Sequence, residues 1–500
     1  MEVLGVIWVL LRLLLVTLLA VVVFFSCYIK CVHLKYDHIP GAPRPSFFLG
    51  HLPIMWRMLK KKELYFDVFV QWAEEYGPVV RINAFHKIAL LVVSPEGVKE
   101  YLMSPEYPKD PIVYGSLYNI FGERFLGNGL TATLDYNPWH KQRRILDPAF
   151  SRTYLMGMLE IFNDKAEVLM RMIMDKANGK SEVDLMDLFG RLTLDVIAKT
   201  AFGLELETLQ DDQTPFPRAV NMIMTGMSNM RIPFFEYLPW NRKVVKEIQE
   251  SVRLVRRIGK ECIERRRKAI QDGEDIPQDI LTHILQSAGQ EGDADQETML
   301  DNFVNFFVAG RETTANQLSF TIMELSRHPE IVAKLQAEVD EVVGEAEDIA
   351  SEHLGQLKYL SQVLKEVLRL YPPAAATLRR PGKENIIEGI NIPKDTSLIF
   401  CMYVMGRMER CFKDPLVFDP DRFRKDQQRP PYSYFPFSLG PRNCIGKKFA
   451  QIEAKVVMAK LLQRFDFEIV LPQSYKILDV GTLRPFDGVV CTLKPRNQRD

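Results

Sequence analysis

From Val3 to Ile29 the chain reads VLGVIWVLLRLLLVTLLAVVVFFSCYI, with Arg12 as its one charge. About 20 apolar residues in a helix cross a hydrocarbon core of about 30 Å, so this run is long enough to span. A helix also satisfies its own backbone groups in lipid. The first constraint on folding is therefore an apolar helix that leaves water, followed by a body that stays in it. Arg12 can carry its guanidinium to the near interface. A cleaved export signal has a basic lead, a shorter apolar core and small residues at its end. Here Glu2 precedes the run, and Phe24, Phe25 and Tyr28 stand near its end. Retention is expected. Lys30, His33 and Lys35 follow the run, which puts the body on the cytosolic side by the positive-inside rule. Cys31 reads as an unmodified thiol, with acylation as the alternative. Pro40, Pro43 and Pro45 then fix φ and forbid helix, so the chain divides into an anchor over 1–29, a basic, proline-rich linker over 30–45 and a body over 46–500.

The body has the composition of a globular protein, 47% hydrophobic and 26% charged over the whole chain. Lys+Arg and Asp+Glu both number 64. No net charge draws the chain to nucleic acid, and no nucleic-acid partner is expected. Seven cysteines are an odd number, and no pair of them has metal-ligand spacing. A disulfide scaffold or zinc module is thereby disfavoured, and a reducing compartment is expected. Helical periodicity dominates from Ser151 to Tyr371, and β-like runs occur at Val79–Ile82, Ile88–Val93, Thr396–Phe400 and near the C-terminus. The fold class is mainly α with small β-sheets. Thr298 to Asp301 is read as the cap of a long helix that Pro329 stops after His328, and SAGQEGDADQ over Ser287–Gln296 as a loop. Length alone suggests about three domains.

One thiol stands apart by its neighbours, in Phe437-Ser438-Leu439-Gly440-Pro441-Arg442-Asn443-Cys444-Ile445-Gly446. The segment resembles the haem-binding signature Phe-x-x-Gly-x-Arg-x-Cys-x-Gly of the cytochromes P450, with all fixed positions present. With ordinary residue frequencies a chance match is roughly one in ten thousand. The resemblance implies the haem-thiolate fold, a single catalytic domain in place of three, with haem b held by the Cys444 sulfur as axial iron ligand. Thiolate ligation pushes electron density towards O–O cleavage. Gly440 and Gly446 would let backbone N–H groups approach the sulfur. Phe437 would pack beneath it, and Arg442 would pair with a haem propionate. The helix-forming run after Gly446 offers its N-terminal dipole to the thiolate. The competing reading is a buried structural cysteine in a glycine-rich turn.

Other segments fit the same resemblance. Trp139 to Arg143 resembles a Trp-x-x-x-Arg propionate contact, and Arg379, beside Arg380, another. Ala309-Gly310-Arg311-Glu312-Thr313-Thr314 resembles the oxygen-activation segment. There Ala309 and Gly310 lie against haem, the Thr313 hydroxyl bonds back to the Ala309 carbonyl and opens the helix, and Glu312 and Thr313 relay protons to dioxygen. Glu366 and Arg369, with Arg422 downstream, resemble the structural Glu-x-x-Arg lock. His140, Lys141, Arg143, Arg144, Lys447 and Lys448 are read as a basic docking patch or a solvated face. Met222–Met230 with Ile232 to Phe235 is read as a substrate lid or as core.

HIPGAPRPSFFLGHLP, YGPVVRINAFHK, FGERFLGNGL, FVNFFVAGRETTAN, YVMGRM and YFPFSLGPRNCIG extend the likeness to the family 46 sterol hydroxylases, over Tyr36–Lys494. The likeness implies cholesterol 24-hydroxylase-like chemistry on a sterol, with O2 and with electrons from NADPH delivered by NADPH–cytochrome P450 reductase. It further implies a monomer in the endoplasmic reticulum membrane, single-pass, with a cytosolic body. Ala375, where an aromatic is expected, and Arg311, where His is expected, depart from the pattern. The rival readings are a haem-thiolate isomerase or dehydratase acting on a lipid peroxide, and a non-catalytic haem-binding protein.

Overall fold

The computed structural model describes residues 2–211, 214–291 and 295–496. The apolar run forms α1 (Glu2–Tyr36), which continues past residue 29 through the first part of the expected linker. The extension has a packing cause. Ile29, His33 and Tyr36 are buried, the His33 ring meets Phe47 edge-on at 5.4 Å, and Tyr36 Oη lies 3.0 Å from Thr396 Oγ1. Before Ile29 every described side chain of the helix is exposed except the half-buried Ser26, and its length and composition fit a single membrane crossing.

The rest is one domain, dominated by helices. Strands β1 (Val79–Ala84) and β2 (Lys87–Val92) form a hairpin at the expected place. The helices that frame the site follow: α2 (Tyr136–Leu146), α3 (Leu185–Phe202), α4 (Pro215–Asn229), α5 (Arg242–Asp272), α6 (Gln296–Leu325) and α7 (Lys358–Leu370). Strands β3 (Ala376–Arg379) and β4 (Ser397–Cys401) complete a sheet of order β1-β2-β4-β3, in which β4 runs parallel to β2 and antiparallel to β3. Helix α8 (Lys447–Arg464) follows the cysteine loop. Near the C-terminus, Phe465–Ile469 pairs with Val490–Pro495, which pairs in turn with Glu182–Asp184.

Helix α6 is the axis of the molecule. At about 1.5 Å per residue its 30 residues span ~45 Å. It begins earlier than the expected Thr298 cap. Asp295 is the N-cap, accepting from the Glu297 and Thr298 amides at 3.2 Å, because a carboxylate meets the positive helix end better than a hydroxyl. It ends at Leu325, before His328. Of the expected loop, residues 287–291 continue the helix Ile280–Glu291 and residues 292–294 lie outside the described residues. Phe303 and Phe307 stack on Phe202 of α3 at ring distances of 4.2 and 5.0 Å. Burying such aromatics contributes about 1.5–3 kcal/mol each.

Candidate active site

The cysteine loop is set by two close approaches. Gly440 has φ +66°, and a Cβ there would stand 2.1 Å from the Leu102 carbonyl oxygen. It therefore serves a close backbone crossing. Gly446 suits the expectation of an amide near the sulfur better: its backbone N–H favours the Cys444 thiolate. The Cys444 amide donates to the Phe437 carbonyl at 2.8 Å, closing the loop. The sulfur has open space beside it. Burial in the surrounding protein nonetheless raises the thiol pKa, against the Gly446 amide and the charges of Arg143, Lys447 and Lys109. A thiol both unpacked and desolvated faces an internal space. Helix α8 begins at Lys447, so its positive end lies at this sulfur.

Three cations gather nearby. Arg379 is 1% exposed and donates to Thr377 Oγ1 and the Leu378 carbonyl. Strand alternation turns it inward, while Arg380 reaches the Asp395 carbonyl near the surface, which resolves the ambiguity between the two neighbours. Arg442 donates to the Thr133 and Leu134 carbonyls at 2.8 Å, with its guanidinium 4.1 Å from the centre of the buried Trp139 ring. Lys109 Nζ donates to the Thr131 carbonyl at 2.8 Å and lies over the Tyr114 ring. All of these oxygens are neutral. Burial lowers all three pKa values; Arg379 and Arg442 also depress Lys109, and Arg379 helps to bring Arg442 down to about 10. Such a cluster leaves a positive potential that a ligand bearing carboxylates would neutralise. With an unpacked thiol beside it, this is a donor set that fits haem, its iron at Cys444 and its propionates among these cations.

Arg143, the other expected propionate contact, is half-buried. It donates to the Asn443 carbonyl, Asn443 Oδ1 and Asp147 Oδ1 at 2.7, 2.9 and 2.6 Å. It therefore ties α2 to the residue preceding Cys444. His140, Lys141, Arg144, Lys447 and Lys448 are exposed, as a docking patch requires, whereas Arg143 is turned in.

From Leu300 to Leu325 every side chain of α6 is buried, except at one place. Ala309 is exposed, and Gly310 and Thr313 are partly so. Thr313 Oγ1 donates to the Ala309 carbonyl at 2.8 Å, as the spacing predicts. A Cβ on Gly310 would meet Ile197 of α3 at 3.0 Å, so glycine lets the two helices close. Glu312 is buried and bonded by Arg311 Nη1 at 2.6 Å. The guanidinium lies beside Gly190 of α3, where a side chain would crowd it. Burial lowers the Arg311 pKa, and Glu312 opposes the shift.

Below α6, Arg369 holds Glu366 through two bonds of 2.6 and 2.7 Å and also donates to the Gly406, Pro415 and Val417 carbonyls. Arg422 Nε approaches Glu366 Oε1 at 3.4 Å without a hydrogen bond. Its other nitrogens reach the Lys413 and Asp414 carbonyls. The lock is thus chiefly a pair, with Arg422 bracing the next loop. In α4, Met224 and Met227 lie against Gly481. Beyond the helix, Ile232 and Phe234 are exposed, and Asn119, Phe121, Gly122, Met230 and the run from Ile232 to Glu236 line a cavity of about 330 Å³.

Sequence reasoning missed Lys109 and a buried carboxyl on α8, Glu453. Neither carries a local signal, since their burial comes from distant segments.

A family model described as Cytochrome P450 matches residues 40–484. Cytochrome P450 4d2 of Drosophila melanogaster is 30% identical over 480 residues, covering 92% of this chain and 94% of that protein. Cytochrome P450 3A16 of Mus musculus is 27% identical over 506 residues, covering 97% of each. The chain therefore belongs to the cytochrome P450 family, as a haem b monooxygenase whose electrons come through a reductase.

Proposed function

We propose that this protein hydroxylates a sterol-class lipophilic substrate at an unactivated C–H bond, from the cytosolic face of the endoplasmic reticulum membrane. The observation that carries the oxygenation site is the gap in α6 at Ala309, Gly310 and Thr313, in a helix otherwise buried from Leu300 to Leu325. Bound haem, ligated by Cys444, supplies the oxygen chemistry. Lys109, Arg379 and Arg442 would hold its carboxylates, with Trp139 backing Arg442. Phe437 and Gly446 shape the thiolate side, and Arg143 steadies the loop through Asn443. Ala309 and Gly310 form the wall where dioxygen and substrate meet. Thr313, its hydroxyl turned to the Ala309 carbonyl, is placed to pass a proton into that space. Glu312 supplies protons after leaving Arg311, which stores its carboxylate against α3.

The sterol reading is supported by the segments shared with family 46 sterol hydroxylases and by the exposed apolar side chains of Ile232 and Phe234. Ala375, small where an aromatic is expected, leaves the pocket wider and favours a bulky ring system. Glu2 before the anchor and Lys30 and Lys35 after it support the cytosolic orientation. The exposed basic patch suits an acidic face of NADPH–cytochrome P450 reductase.

Spectral binding against sterols and fatty acids, followed by product identification with reductase and NADPH, tests the substrate. No NADPH- and O2-dependent product from any sterol would overturn it. Thr313→Ala should retain haem yet form about tenfold less product per NADPH. Unchanged coupling would remove Thr313 from the proton path.

A further inference from the structure

From Phe125 to Leu134 the chain is neither helix nor strand, yet it carries the carbonyls that hold two of the three cations. Thr131 accepts from Lys109, and Thr133 and Leu134 accept from Arg442. Lys109 and Arg442 themselves stand outside the helices and strands, whereas Arg379 is fixed by β3. The charged ends of Lys109 and Arg442 therefore lie where this strap puts its carbonyls. A stretch with no ladder of its own takes its position from what it bonds.

What it bonds is the first part of α6. Asp301 has a fully buried side chain. Its Oδ1 accepts from Arg124 Nε at 3.0 Å and from Arg256 Nη1 of α5 at 2.8 Å. Its Oδ2 accepts from Arg124 Nη2 at 2.7 Å and from the Asn128 amide at 2.8 Å. Beside it, Asn302 Oδ1 accepts from the Leu130 amide at 2.9 Å, and Asn305 Nδ2 donates to the Leu126 carbonyl at 3.3 Å. The approach requires glycine: a Cβ on Gly127, whose φ is +47°, would collide with the Asp301 carboxylate, and one on Gly129 with Asn305. Asp301 thus joins the strap, α5 and α6 through charge-assisted bonds, which are about twice as strong as neutral ones. The strap is stiff between this clamp and the cations. Thr133 donates its amide to the Gly129 carbonyl and its hydroxyl to the Asn128 carbonyl, so a shift at Asn128 carries through to Thr133. The outer end is tied more weakly, by Glu123 to Arg253 of α5, an arginine that is mostly exposed.

We infer that Asp301 is a positioning residue for the haem-binding cations: it seats the strap on α6, and the strap sets where Lys109 and Arg442 offer their charge. The inference rests on the assignment of these cations to the haem carboxylates proposed above. Without the Asp301 charge, Arg124 and Arg256 are left with Glu297, which is itself half exposed, and the strap loosens. A positive charge held near haem favours its reduced state by Coulomb attraction, so loosening the cations lowers the reduction potential.

The test uses the full-length holoprotein without substrate. Asp301→Asn keeps the size and one carbonyl acceptor and removes the charge. Its haem reduction potential should fall, and haem should pass to apomyoglobin about tenfold faster than from the parent. Arg124→Gln leaves Arg256 and the Asn128 amide on the carboxylate, and should shift both readings the same way by less. Arg253→Gln cuts the outer tie to Glu123 and should leave both at the parental value. A mere loss of stability moves an unfolding midpoint and not the potential of the folded protein. An unchanged potential in Asp301→Asn, or an equal fall in Arg253→Gln, would overturn the inference. Should Asp301→Asn not fold, Arg124→Gln decides by the same two readings. Lys109→Gln and Arg442→Gln separate the two levels of the argument. If they lower the potential while Asp301→Asn does not, the cation assignment stands and the role of Asp301 falls. If they too leave it unchanged, the cation assignment fails and takes the inference with it.

Discussion

A carboxyl that holds its proton to about pH 8 when folded, against a usual value of 4.5, couples Glu453 to stability. The sign is opposite to that of a paired acid. Between those two values the folded chain binds the proton and the unfolded chain does not, so stability falls as pH rises. Its contribution is whole below about 4.5 and lost as pH climbs through about 8. Glu167 behaves the other way: burial raises its pKa, but Arg464 and Lys460 outweigh burial and hold it low. That contribution is present near neutrality and lost in acid. Glu453→Gln cannot ionise. Its stability relative to the parent should improve by a few kcal/mol from about pH 5 to about pH 9. Urea midpoints across that range measure it, and a difference independent of pH would refute it.

At the scale of elements, the joint between α7 and the loop before Cys444 rests on the buried pair Glu366–Arg369. Arg369→Ala leaves Glu366 charged and alone and frees three loop carbonyls, so it should cost about 3–5 kcal/mol and most of the haem content. Arg422→Ala should cost about 1 kcal/mol, because that arginine has no hydrogen bond to Glu366. Denaturation midpoints and the haem spectrum of the two variants compare them. Much of this joint is legible in sequence, since Glu366 and Arg369 share a helical face at i and i+3. So is the Thr313-to-Ala309 bond, a local i to i−4 contact. The start of α6 is misread by three residues because Asp295 and Thr298 are both plausible caps, and the stronger acceptor wins. Arg379 can be told from Arg380 only once β3 is known to place alternate side chains on opposite faces. Arg143 bonding Asn443, Lys109 entering the cation cluster and Glu453 sinking beneath α6 depend on segments hundreds of residues apart in two of the three cases. No local pattern carries such contacts.

For the whole molecule, the question is where the anchor ends and the domain begins. The apolar run stops at Ile29, but the body's packing starts there too. Ile29 is 0% exposed, and His33 and Tyr36 are buried beside Phe47 and Thr396. Arg81 and Arg44 converge on Asp37 one residue later, bonding this entrance to β1. One helix therefore has two parts, the first exposed and of a length and composition that fit a membrane crossing, the last two turns belonging to the fold. Removing residues 2–24 should release a domain with parental haem content and thermal stability. Removing residues 2–36 strips Ile29, His33 and Tyr36 as well, and exposes the apolar surface they covered, at about 1.5–3 kcal/mol for a large apolar side chain. The longer deletion should melt well below the shorter one, with lower haem occupancy. Equal melting of the two truncations, measured side by side in the same detergent, would mean that α1 ends as a functional element at residue 29 after all.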